Sequence, residues 1–131
     1  MATIAKSGTP SLSSVLPPQS QQIAGLLAGE AIAAGDACYI RTDGKIWKSV
    51  GTAANAAAKV DGFAAEVCAV NEAVTLFHDV NFRYGAGLTP GARYFVSATA
   101  GALDDAATVG GTGSVGFAID ATRIRVQQSR Y

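Results

Sequence analysis

The sequence predicts an all-β fold, a small barrel or sandwich built from two diverged β repeats with an extended N-terminal arm in front of them. Three observations predict it. Residues 31–77 and 87–126 carry the same landmarks in the same order, short runs of β-branched, aromatic and apolar residues alternate with glycine-rich turns, and no segment sustains helical periodicity. A chain of 131 residues is long enough to bury one core without staples, so residues 28–131 are expected to form a single β domain and residues 1–27 the arm.

In the arm, Lys6 is the only charged side chain, and Pro10, Pro17 and Pro18 rule out a continuous helix or a central strand. Its scattered apolar residues, Ile4, Leu12, Val15 and Leu16, are too few to form a core. A nearly uncharged, proline-punctuated strip suits extended docking on another protein surface, and these four residues are its candidate contacts. Deleting residues 2–20 is accordingly expected to leave the β domain folded.

The first repeat opens with Ala34-Gly35-Asp36-Ala37-Cys38-Tyr39-Ile40, and the second answers with Pro90-Gly91-Ala92-Arg93-Tyr94-Phe95-Val96. Thr42-Asp43-Gly44-Lys45 reads as a hairpin turn, with Thr99-Ala100-Gly101 in the same place of the second copy. Small-residue stretches follow at 51–59 and 104–113. Ala53–Ala58 is too short to stand as a helix, and one helical turn is the most it supports. Val60-Asp61-Gly62-Phe63-Ala64 matches Val115-Gly116-Phe117-Ala118, and Val74-Thr75-Leu76-Phe77 matches Ile124-Arg125-Val126. Strands are expected over 37–41, 45–49, 63–68, 73–82, 92–98, 114–119 and 122–128. Two copies are too few for a solenoid, which leaves two half-barrels or half-sandwiches closing on each other.

Ten basic and ten acidic residues cancel, with no basic run, so nothing would draw a polyphosphate backbone and nucleic acid is not an expected partner. Arg123, Arg125 and Arg130 alternate with other residues as the solvated face of a terminal strand would. Cys38 and Cys68 lie in apolar runs and read as buried free thiols. The amino terminus lacks the apolar core of a signal peptide and no run reaches membrane-spanning length, predicting synthesis in the cytoplasm and no membrane partner.

Chemistry has few places to reside. The only histidine, His78, adjoins Asp79 near Arg83, but strand alternation would put His78 and Asp79 on opposite faces, and no nucleophile elbow accompanies them. No catalytic residue and no cofactor is therefore expected. One histidine and two separated cysteines cannot make an ordinary structural zinc site, so no metal is expected either. Gly110-Gly111-Thr112-Gly113 lacks the ending of a phosphate loop and reads as a flexible loop, and Asp104-Asp105 as a solvated turn. Tyr39, Trp47 and Tyr94 are candidates for an interface or for an aromatic glycan platform.

The residues at 34–40, Asp43-Gly44-Lys45, Gly62-Phe63-Ala64, Leu88-Thr89-Pro90-Gly91-Ala92-Arg93-Tyr94-Phe95-Val96 and Val115-Gly116-Phe117-Ala118-Ile119-Asp120 together resemble the small decoration, or head-stabilisation, proteins of tailed bacteriophages. The likeness spans about residues 25–127. It implies a structural virion protein on the capsid surface, partnered by the major capsid protein and by copies of itself, with a homotrimer favoured. It implies no active site. The same phrases are also similar to repeats of phage tail-fibre and spike domains, so a receptor- or glycan-binding module is the alternative. A small enzyme with a pocket of His78, Asp79 and Arg83 is the third reading.

Overall fold

Both repeats enter their first strand through a glycine in the left-handed region, Gly35 at φ 84° and Gly91 at φ 83°, where a side chain would be strained. Each glycine then makes the same bond. Gly35 N–H donates to Ala64 O and Gly91 N–H to Ala118 O, both at 2.7 Å. The return bonds also match, from Ala64 N to Asp36 O (3.0 Å) and from Ala118 N to Ala92 O (2.9 Å). The sequence repeat is thus a repeat of hydrogen bonding.

The computed structural model describes residues 3–13, 21–53 and 55–129. Their strands are β1 (Thr3–Ile4), β2 (Ser11–Leu12), β3 (Gln22–Leu27), β4 (Ala37–Ile40), β5 (Ile46–Lys48), β6 (Gly62–Ala64), β7 (Ala73–Phe77), β8 (Val80–Arg83), β9 (Arg93–Val96), β10 (Leu103–Asp104), β11 (Gly116–Ala118) and β12 (Arg123–Val126). A 3-10 turn spans Ala56–Ala58. All strand pairs are antiparallel. The small sheet has the order β3-β7-β6-β4-β5 and the large sheet β1-β10-β9-β11-β12-β8-β2. Without the added outer strands β1 and β2, the large sheet reads β8-β12-β11-β9-β10, which is the small sheet's order with each strand replaced by its repeat partner. The fold is therefore all-β, two sheets from two copies.

The copies stack front to back. In the small sheet, Ala37, Phe63, Phe77 and Gln22 form one row across β4, β6, β7 and β3. Ala37, Phe63 and Phe77 of this row face the main core, against Val80, Phe82, Ile124 and Val126 of the large sheet. The rings of Phe63 and Phe82 lie 6.3 Å apart across that boundary. The matching row of the large sheet is Arg93, Phe117, Arg125 and Asn81, and it points away from the core. The opposite face of the small sheet carries Cys38, Ala64, Val74 and Leu76 into a second core closed by Ala28, Ile32 and Cys68. Facing sheets fused by an exact two-fold would bury equivalent residues alike; here the front of one layer receives the back of the next.

Close packing explains why Gly62 and Gly116 recur. A Cβ on Gly62 would lie 2.7 Å from Leu76 Cβ, and one on Gly116 would lie 2.8 Å from Arg125 O and 2.9 Å from Ile124 Cγ2. Leu76 and Ile124 are themselves repeat partners. The small-residue stretches also meet each other, since Gly110 N–H donates to Gly51 O at 2.7 Å. Gly110 and Gly111 are buried, and a Cβ on Gly110 would fall 1.7 Å from Ala53 O. The first half of the 110–113 segment is thus packed, where a flexible loop was expected, while Thr112 is exposed. Asp104 is likewise buried rather than solvated, its carboxylate accepting from Ala106 N at 3.1 Å.

The described part of the 1–27 segment is not a separate arm. Strand β1 pairs with β10 and β2 with β8, so one N-terminal segment closes both edges of the large sheet. Strand β3 is the edge of the small sheet, beside β7, and shifts register between Ile23 and Leu26. Ile4 and Leu12 are half-buried against the main core, and Lys6 Nζ donates to the buried Asp36 Oδ1 at 2.7 Å. The prolines do exclude central strands, but two-residue edge strands escape that restriction and suit a sheet margin. Truncation of 2–20 therefore cannot leave the domain untouched. Val15 and Leu16 lie outside the described residues.

Tyr84 is fully buried, and its hydroxyl makes no hydrogen bond of ordinary geometry among the described residues, the Leu103 backbone approaching it only loosely. Burial first, and then the charge of Asp36, pushes its pKa upward. An unsatisfied buried hydroxyl costs folding free energy that a phenyl ring does not. Tyr84→Phe is expected to stabilise the protein by about 1 kcal/mol, read as a higher urea midpoint at unchanged slope.

Candidate functional site

Strand alternation predicted His78 and Asp79 apart; they are together, with His78 Nδ1 2.8 Å from Asp79 Oδ2. The reason is a break in what reads as one strand over 73–82. Asp79 adopts φ 56°, a conformation that aspartate tolerates better than most residues, and the chain passes there from β7 of the small sheet to β8 of the large one. Gln21 Nε2 donates to Asp79 O, and His78 N–H to Gln21 O at 3.1 Å, so the pair is built into this crossing. Arg83 lies at the far end of β8 opposite Ser11 and Arg123, away from the His78 ring. The trio of the enzyme reading does not converge.

The aromatic candidates separate as well. Tyr39 and Trp47 are register partners on β4 and β5, whereas Tyr94 is buried in the main core. Burial raises the pKa of both tyrosines. Trp47 is already engaged on several sides. The Arg41 guanidinium lies 4.0 Å from its ring centroid, Nε1 donates to Asp43 Oδ2 at 3.2 Å, and Gly29 sits so close that a Cβ there would be 2.3 Å from Cε2. It is a packed corner, and the three rings share no platform.

Two surfaces at opposite ends of the stack are the strongest candidates for function. The first is the outward front of the large sheet, where Arg93, Phe117, Arg125 and Asn81 form one row and Arg123 and Arg83 a second, with Phe95 beside Arg93 on β9. Phe95 and Phe117 are half-buried. Asp120 neutralises one arginine, accepting Arg123 Nε at 2.7 Å, and its bonds from the Thr122 backbone and from Arg123 hold its carboxyl down to about 2. Arg125 Nη1 donates to Asn81 Oδ1 at 3.4 Å. Arg83 and Arg93 have no ion-pair partner among the described residues. The solvated face expected for Arg123, Arg125 and Arg130 is there for the first two, Arg130 lying outside the described residues; the contributions of Arg83 and Arg93 needed the strand register, which sequence reasoning lacked.

The second surface covers the outer core of the small sheet. The loop over 66–72 is pinned by the Ile32 and Cys68 backbones, which exchange bonds of 2.9 and 2.8 Å, and by Glu72 Oε1 accepting Ala69 N–H at 2.6 Å. Val67 is 76% exposed, Val70 53% and neighbouring Leu27 44%, and these are three of the four exposed large hydrophobics among the described residues. Glu66 and Glu72 flank them. Cys38 and Cys68 are free and buried, as expected. Among the described residues, no three histidine, cysteine, aspartate or glutamate side chains group as metal ligands, and no helix is long and apolar enough to cross a membrane.

Comparison with protein-family models, curated proteins and solved structures finds no match to this chain.

Proposed function

We propose that this chain is a structural protein of a tailed-phage virion, one that binds the outside of the capsid lattice and stabilises the expanded shell. Its partners in this reading are the major capsid protein and other copies of itself, the trimer being the expected form. The observation that carries it is the layered build: the residues of the phage resemblance are the strands and turns of both sheets, and the stack ends in broad exposed surfaces suited to protein contacts. A protein that binds assembled lattice but not free subunits stabilises the shell by mass action. Tethered weak contacts add to such binding through their local concentration.

Because Ile4 and Leu12 are engaged with the chain's own core, the arm's capsid contact falls to Val15 and Leu16. The test is occupancy on purified, undecorated capsids, read by electron cryomicroscopy. Density repeated over the icosahedral shell is the expected result, and density confined to a tail tip would overturn the reading. The variant Val15→Ser with Leu16→Ser should lose about tenfold in capsid affinity. Unchanged affinity would remove these two residues from the contact.

A further inference from the structure

The front of the small sheet is covered inside the chain by the back of the large sheet, while the equivalent front of the large sheet is open. The fold therefore already uses one such front as a docking surface. On the open one, Arg93 stands where the covered front has Ala37, and Arg125 where it has Phe77, with Phe117 kept in place of Phe63. Arg83 sits directly opposite Arg123, a cross-strand pairing of like charges that Asp120 offsets on the Arg123 side alone. Among the described residues, the carboxylates bordering this face are Asp120, bound to Arg123, Asp104, turned into its own turn, and Asp105, which shares a groove with Arg93 and Phe95, so four arginines meet three carboxylates. An anionic, partly apolar occupant fits it.

Such a surface lies at the other end of the same stack. Glu66 and Glu72 bracket Val67 and Val70, with Leu27 alongside. Both carboxylates belong to the loop that Cys68 anchors, and Glu72 is fixed there by accepting Ala69 N–H at 2.6 Å. One cation borders this end, Lys45, whose Nζ donates to Asn71 Oδ1 at 3.0 Å.

We propose that copies of this chain associate head to tail, the arginine and phenylalanine front of the large sheet of one copy receiving the 66–72 loop and Leu27 of the next. The contact joins two different surfaces, so it is heterologous, closing as a ring or continuing as a filament according to the rotation between copies. It rests on the self-association in the function proposed above and not on the capsid.

The full chain is examined by sedimentation equilibrium and native mass spectrometry, together with the double variants Arg93→Glu/Arg125→Glu and Glu66→Arg/Glu72→Arg. The parent chain should self-associate, and each variant should weaken association by about tenfold or more, because like charges then meet. Mixing the two variants should restore assembly, since the reversed front of one matches the reversed loop of the other and both remaining surfaces still pair. A discrete mass marks a ring and a growing series a filament, and either supports the contact. A parent chain that stays monomeric, variants that assemble as tightly as the parent, or a mixture that stays apart would overturn it. Restoration on mixing also separates lost complementarity from misfolding. Capsid binding by a chain that remains monomeric would sink this contact and leave the capsid reading standing, while self-association without capsid binding would do the reverse.

Discussion

Replacing Phe63 by alanine should destabilise the fold by about 3–5 kcal/mol, whereas the same change at its repeat partner Phe117 should cost about 1 kcal/mol or less. Phe63 is 0% exposed and sits at the junction of the two layers against Phe82, so truncation leaves a cavity that neither sheet can close without moving the other. Phe117 occupies the same place in the second copy but lies on the outward front, half-buried between Arg93 and Arg125. Urea denaturation of the two variants reads the difference directly. Equal losses would mean that the two sheets face each other symmetrically, contrary to the front-to-back packing. Phe117→Ala should be felt in self-association instead.

Removing residues 2–13 should destabilise the protein by about 4–5 kcal/mol, the second large effect. Ile4 and Leu12 each take roughly 1 kcal/mol of burial with them. Losing Lys6 leaves the Asp36 carboxylate, 5% exposed, without its cation; about 2–3 kcal/mol is reasonable for a pair whose lysine is partly solvated. Asp36 would retain the bond from Ala33 N–H at 2.8 Å, which limits the damage. The truncation also bares β10 on one edge and β8 on the other, so aggregation on heating is expected along with the lower midpoint. An unchanged midpoint would show that the segment is separable after all.

The repeat was legible because its landmarks are glycines, and the backbone needs at Gly35, Gly91, Gly62 and Gly116 are local. Strand identity followed from alternation within each run. What alternation cannot show is which face of a sheet meets another sheet: Phe63 and Phe117 have the same local sequence and opposite environments. The split of 73–82 into two strands was hidden because His78-Asp79 carries no glycine or proline, and a single aspartate at positive φ sufficed to turn the chain. The N-terminal segment misled for a related reason. Its low charge and prolines do describe an extended strip, but its partner surface is the chain's own sheet edges, a long-range pairing invisible to local composition. Among the candidate surfaces, Arg123 and Arg125 were readable from one strand, whereas their alignment with Arg83 and Arg93 depends on pairing across strands far apart in sequence. Val67 and Val70 gave no signal, since isolated valines in a loop are as compatible with burial as with exposure.

The closing of both large-sheet edges by the first residues also sets an order of events during synthesis. Thr3 Oγ1 and Ser97 Oγ, 3.2 Å apart in the fold, are separated by 94 residues of chain, and β1 pairs with a strand that ends at Asp104. Strand β1 therefore has no partner until about a hundred further residues have been made. Closure at such separation is slow, because the entropy of a long loop is lost before its contacts form. Docking of the N-terminal segment therefore waits on the strand around residue 104, however early the strands between them pair.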